Sequence, residues 1–221
     1  MPDLSTLVLV PTDRERQHLA GQPGFDVRDR CELCGFGPVA AAARTATLLA
    51  QRAPDRVLLV GIAGTYDSAV MPVESATIFD RVTMHGVGVQ TDSGFLSAAS
   101  LGFHHWRETN NQPPPTVDQL SLAALAPHAA GPLLTCCTAS ADADEAQQRR
   151  LQYPDVTAED MEGYGVALAC RLANVPVAIV RGISNQVGDR EHARWRIHEA
   201  LHAAWCVASE LLARPTWDAV Q

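Results

Sequence analysis

Long apolar runs are missing from the 221 residues, and none approaches the roughly 20 apolar residues that cross a bilayer, so the sequence predicts no membrane span. The opening "MPDLSTLVLVPT" has no basic segment ahead of its short apolar stretch, which makes a cytoplasmic protein the expectation. A surplus of positive charge is missing as well. The formal net charge is −8, whereas a protein that lives on phosphate backbones needs a basic face. The expected partner is a small molecule, with neither nucleic acid nor membrane.

Metal-ligand spacing is also lacking. Cys31 and Cys34 form a CxxC, yet no second pair stands at zinc spacing and the adjacent Cys136 and Cys137 do not supply one. His85, His104, His105, His198 and His202 show no third ligand; His198 and His202 are four apart on a predicted helix, without an HExxH pattern. No metal is therefore expected. The six cysteines read as reduced thiols, with Cys34, Cys136, Cys137, Cys170 and Cys206 packing as small hydrophobes.

With 47% hydrophobic residues, the chain has enough for one sizeable core and too little for two ordinary domains, so residues 1–221 are expected to form a single domain. Apolar runs rich in β-branched residues recur at 6–12, 57–64, 75–82, 133–140 and 176–184. Their near-continuous hydrophobicity predicts strands covered on both faces. Helical patterns occupy 38–52, roughly 142–152, 159–173 and 192–213, and the alternation predicts an α/β fold with a mixed or parallel sheet. The tract 107–119, with three consecutive prolines, is expected to be a surface loop. No internal repeat is visible.

In such sheets ligands gather outside the carboxyl ends of strands. "CGFGPVAA" puts GxGxxA before a helix with Pro38 in its first turn, which suits a tight turn and an anion at the helix N-terminus. As a dinucleotide fingerprint it fails, because Asp55 precedes the next strand instead of ending it. "GIAGTYD" places glycines at a strand exit, where a flat ligand can lie on backbone. "RGISNQVGDRE" ends an apolar strand in Ser184 and Asn185. "AEDMEGYG" sets Glu159, Asp160 and Glu162 around Met161 at the expected start of a helix.

Taken in order, the Gly-rich turn, "GIAG", "DMEG" and "VRGISN" resemble the nucleoside phosphorylase and nucleosidase superfamily over nearly the whole chain, and within it the futalosine-hydrolysing branch of menaquinone biosynthesis. The resemblance implies a three-layer α/β fold with a mixed central sheet flanked by helices. It implies cleavage of the N-glycosidic bond of a purine nucleoside, without cofactor, in a homo-oligomer. Glu162 would bind the ribose 2′-hydroxyl while Met161 packs on the sugar, and Glu159 and Asp160 are in part helix-entrance charges. Asn185 would donate to the leaving base, which suits a 6-oxopurine better than the aspartate of similar methylthioadenosine/S-adenosylhomocysteine nucleosidases. Glu15 is the candidate to activate water. Ala63, Gly64, Asp160 and Ser184 complete the expected substrate contacts. Arg81 and Thr83 match only loosely the pair that holds phosphate in phosphorylases, so hydrolysis is favoured over a 6-oxopurine phosphorylase or a nucleoside-binding module. Tyr164 stands either against the pocket or at an oligomer contact.

Overall fold

The computed structural model describes residues 4–25, 31–92, 94–107, 116–123, 129–215 and 217. Along the chain run β1 (Thr6–Val10), α1 (Asp13–Leu19), β2 (Cys31–Leu33), α2 (Pro38–Arg52), β3 (Arg56–Thr65), β4 (Ala76–Phe79), β5 (Arg81–His85), β6 (Gly88–Thr91) and β7 (Gly94–Ser97). They are followed by β8 (Gln119–Ser121), β9 (Ala129–Ala130), β10 (Leu133–Cys136), α3 (Ala143–Gln152), β11 (Ala158–Asp160), α4 (Gly163–Leu172), β12 (Val177–Gln186) and α5 (Ile197–Leu212).

One mixed sheet carries ten strands in the order β8-β5-β10-β11-β3-β12-β4-β9, with β1 and β2 branching from β3. The long apolar run of β3 explains its central place. Leu59 faces a core built with Leu48 of α2 and Val166 of α4, while Leu58 and Val60 face Leu201 and Trp205 of α5 and Leu19 of α1. Alternate side chains of a strand point to opposite faces, so a strand covered on both needs apolar residues throughout. The expected mixed sheet flanked by helices is what the chain forms.

β3 is also where the sheet forks. Its first half pairs with β1, parallel, from Thr6 against Arg56 to Leu9 against Leu59. Its last two residues pair with β11, antiparallel, through Ala158 against Thr65 and Glu159 against Gly64. Between the departing β1 and the arriving β11, the edge of β3 is open.

Several expected boundaries differ. The helix placed at 159–173 begins at Gly163, because Ala158–Asp160 form β11 between β10 and β3. Its first turn is "GYGV", and it must be lean there: a Cβ on Gly165 would lie 2.2 Å from the Pro38 carbonyl oxygen of α2. The run at 75–82 is two strands broken at Asp80, whose backbone pairs with Ala130 and Leu122. The run at 133–140 leaves the sheet after Cys136. The final helix starts at Ile197, after a 3-10 turn at His192–Arg194 and an extended Trp195. Cys137 and Cys206 are exposed and do not pack as expected, whereas Cys31, Cys34, Cys136 and Cys170 are buried. Most of the proline tract lies outside the described residues; Trp106 and Thr116 bridge its ends, and Gln119 already belongs to β8.

Candidate active site

A cleft of about 370 Å³ opens at the fork, beyond the carboxyl ends of β1, β3 and β12. Glu15, Ala63, Gly64, Asp160, Met161, Glu162, Ser184 and Asn185 all line it, so every candidate named from the sequence is brought to one place. Phe36, Ala139, Ser140, Trp195 and the rim residues Arg14 and Arg190 line it too.

The carboxylates are placed by backbone. Glu15 closes a capping box at the start of α1: its Oε2 accepts from the Thr12 N–H at 3.1 Å and the Thr12 hydroxyl at 2.6 Å, while the Thr12 hydroxyl accepts from the Glu15 N–H. Its other oxygen accepts from the Ile62 N–H at 3.1 Å, which ties α1 to the open edge of β3. Glu162 occupies the cap position of α4 without capping it. It reaches instead to the start of α2, where the Gly37 N–H donates to Oε1 at 3.0 Å. The anion expected at that helix N-terminus is thus the chain's own Glu162. Gly37, with φ of 83°, turns its N–H toward the carboxylate in a conformation that other residues avoid.

Between these carboxylates lies Arg181, at 0% exposure. Its Nε and Nη2 donate to Asp160 Oδ2 at 3.1 and 2.5 Å, and Nη2 lies 3.4 Å from Glu162 Oε2. The Thr135 hydroxyl and the Gly163 N–H also donate to Asp160, so both its oxygens are engaged by protein. Nη1 finds no hydrogen-bond partner among the described residues. A Cβ on Gly61 would lie 2.1 Å from Nη1 and 2.9 Å from Glu15 Oε1, which shows how tightly the guanidinium is wedged beside Glu15. Burial opposes charge on Arg181, but Asp160, Glu162 and Glu15 outweigh it and hold its pKa above the ordinary value. Burial pushes the Glu162 carboxyl up to about 7; Arg181 pulls it down, Asp160 pushes it up, and Gly37 and Glu15 add smaller effects of opposite sign.

Glu159 leaves β11 on the other face. Its partners are Arg149 of α3, Tyr66 and Ser140, and it is not a helix-entrance charge; Asp160 is not one either. Strand alternation sends the two side chains apart.

Asn185 is oriented by a bulge. The register of β12 on β3 runs from Ile183 against Ala63 to Asn185 against Gly64, leaving Ser184 as the extra residue. The Ser184 hydroxyl donates to Asn185 Oδ1 at 2.7 Å, and Asn185 Nδ2 donates to the Gln186 carbonyl at 2.9 Å. With Oδ1 taken, the second Nδ2 hydrogen is the polar feature left for a ligand.

Arg81 and Thr83 do not reach the cleft: Arg81 pairs with Asp80, and the Thr83 hydroxyl accepts from Gln119. Tyr164 is not a cleft residue. It is buried, donates to the Val117 carbonyl at 2.6 Å and packs against the His105 ring. Arg181 and Arg149 were missed by sequence reasoning. The available signal was Arg181 inside "VAIVRGIS", since an arginine in a strand covered on both faces must find a buried carboxylate.

A family model described as the phosphorylase superfamily matches residues 30–214. A futalosine hydrolase from Streptomyces coelicolor is 39% identical over 174 residues, 76% of this chain and 72% of that protein. A futalosine hydrolase from Acidothermus cellulolyticus is 35% identical over 188 residues, 79% of this chain and 75% of that protein. Among solved structures, futalosine hydrolase of Helicobacter pylori superposes with a TM-score of 0.73 at 13% identity, covering 95% of this chain and 97% of that one. The adenine complex of a methylthioadenosine/S-adenosylhomocysteine nucleosidase from Colwellia psychrerythraea gives a TM-score of 0.72 at 16% identity, covering 99% and 98%. At those identities the structures speak for the fold.

Proposed function

The chain belongs to the phosphorylase superfamily and is an N-glycosyl hydrolase, and we propose that it releases hypoxanthine from futalosine, leaving dehypoxanthine futalosine as a step of menaquinone biosynthesis. The observation that carries the site assignment is the meeting of Glu15 and Glu162 around Arg181 in one cleft, with an amide donor, Asn185, on the same wall.

Breaking an N-glycosidic bond builds positive charge on the ribose. Glu162, held against the 2′-hydroxyl, strengthens its grip as that charge grows. Its α2 and Arg181 contacts fix the carboxylate before substrate arrives, so little reorganisation is left to the transition state. Met161 packs on the sugar, and Ala63 and Gly64 offer bare backbone to the flat base. Asn185 Nδ2 donates to O6 or N7 as electron density moves onto the departing purine. Glu15 takes the proton of the attacking water. Asp160 supports the site through Arg181, and Ser184 by fixing the Asn185 amide. No cofactor takes part. The chain acts as one domain, in the cytoplasm, as a homo-oligomer whose signature is light scattering above the 23.7 kDa of one chain.

The test is incubation of the purified protein with futalosine and with inosine, each with and without phosphate. Hypoxanthine released from futalosine at a rate indifferent to phosphate is expected. Release that requires phosphate refutes hydrolysis in favour of phosphorolysis, and tight binding without release refutes turnover altogether.

A further inference from the structure

Glu159 takes no part in the chemistry above, yet it stands on the cleft wall, buried. Three donors converge on its Oε2: the Tyr66 hydroxyl at 2.7 Å, the Ser140 hydroxyl at 2.8 Å and Arg149 Nη1 at 2.9 Å. Oε1 accepts from the Ser140 N–H at 2.8 Å. A carboxylate oxygen accepts at two lone pairs, so Oε1 keeps acceptor capacity.

Arg149 Nη1 also donates to the Thr138 carbonyl at 2.9 Å, so the segment after β10 is clamped from both ends of the ion pair. That segment closes against the strand bearing Asn185, since a Cβ on Gly188 would lie 2.4 Å from the Asp142 carbonyl oxygen. Both hydrogen-bond donors of Ser140, backbone and side chain, are spent on Glu159. The wall facing Asn185 therefore offers a ligand acceptors: carbonyls and a carboxylate.

We propose that Glu159, braced by Arg149, is a specificity-determining residue for the base, its Oε1 accepting the N1–H of a 6-oxopurine. A 6-oxopurine carries a donor at N1 beside an acceptor at O6, and the pair Glu159 and Asn185 presents the opposite polarities. A 6-aminopurine has an acceptor at N1 and meets the same wall with two acceptors face to face. This inference rests on the reading that the base lies between Asn185 and residues 139–140.

Product inhibition by hypoxanthine, 1-methylhypoxanthine and adenine tests it, in wild type, Glu159→Gln and Ser140→Ala. In wild type, hypoxanthine is expected to bind about 10- to 100-fold more tightly than adenine, the range set by leaving one buried polar group unpaired. Glu159→Gln supplies an amide that can donate, and the ratio should fall by about tenfold. Ser140→Ala loosens the brace without changing the acceptor, and the ratio should stay within about threefold of wild type. A collapse in both variants, or in neither, overturns the proposal. Should Glu159→Gln fail to fold, the wild-type arm decides: 1-methylhypoxanthine has lost the N1–H, and binding equal to that of hypoxanthine overturns the proposal. Wild type that releases no base from futalosine refutes the functional reading itself; release with an unmoved ratio refutes this inference alone.

Discussion

Asn185→Asp perturbs the base end of the cleft by one atom. The Ser184 hydroxyl, 2.7 Å from Asn185 Oδ1, keeps an oxygen to donate to. On the other branch an oxygen replaces Nδ2, which now donates to the Gln186 carbonyl at 2.9 Å, and the remaining N–H that faces a 6-oxopurine is lost. Two acceptor pairs then replace two hydrogen bonds in a position that is 8% exposed. One buried polar group left without its partner costs about 1–3 kcal/mol, which is roughly 5- to 150-fold in kcat/KM at about 1.4 kcal/mol per decade. The introduced carboxyl, facing the Gln186 carbonyl in a buried site, has its pKa raised, and its protonated form can donate again. Activity on futalosine should therefore recover in part as pH falls toward about 5, after correction for the wild-type profile. The 6-amino analogue of futalosine should suffer less, because its exocyclic amine can donate to the new oxygen. The assay is kcat/KM for both substrates, wild type and variant, from mildly acidic to neutral pH. A loss equal for both bases and flat with pH would mean that Asn185 only shapes the bulge, and the donor argument would fail.

Other perturbations address the carboxylates and the arginine between them. Glu162→Gln should lower kcat by about 10²–10³ with little change in substrate binding, since the lost charge acts as the ribose becomes cationic; a kcat within about threefold of wild type removes its role. The raised pKa of Glu162, about 7 against an ordinary 4.5, has a stability consequence. A carboxyl more readily protonated in the folded state contributes stability that is complete below pH 4.5 and lost as pH rises to about 7, by on the order of 3 kcal/mol. The Tm of Glu162→Gln relative to wild type should accordingly rise between pH 4.5 and pH 8, and a constant difference would contradict the burial argument. Gly61→Ala drives a methyl to 2.1 Å from Arg181 Nη1. Overpacking of this kind costs about 1–3 kcal/mol, and calorimetry should show a Tm lowered by roughly 2–4 °C per kcal/mol.

What the sequence made legible is what local pattern controls. The uninterrupted apolar run of β3 and the matching run of β12 announce strands covered on both faces, and those strands pair in parallel from Val57 against Val177 to Gln186 against Thr65. Pro38 and the preceding glycines mark the start of α2, which begins at Pro38. Where a strand ends, by contrast, depends on what pairs beside it. "SATIFDRV" has no internal breaker strong enough to announce that β4 joins β12 while β5 joins β10. The ion pairs were hidden for a related reason: Arg149 and Arg181 stand 10 and 21 residues from Glu159 and Asp160, and their meeting is a product of topology.

The stretch "AEDMEG" shows how that topology divides the work. Three carboxylates within four residues read as one acidic helix entrance, but a short strand followed by a corner separates them. Alternation along β11 turns Glu159 toward Arg149 and Asp160 toward Arg181, and the corner at Met161 swings Glu162 to the N-terminus of α2. Each destination holds a different compensating group, so three buried carboxylates coexist without sharing one counter-charge. Asp160 saturates two of the Arg181 nitrogens, and Glu162 lies farther from the guanidinium, at 3.4 Å. The carboxylate with the weakest hold on its arginine is the one whose pKa burial lifts to about 7, and therefore the one with most to gain when cationic charge develops beside it.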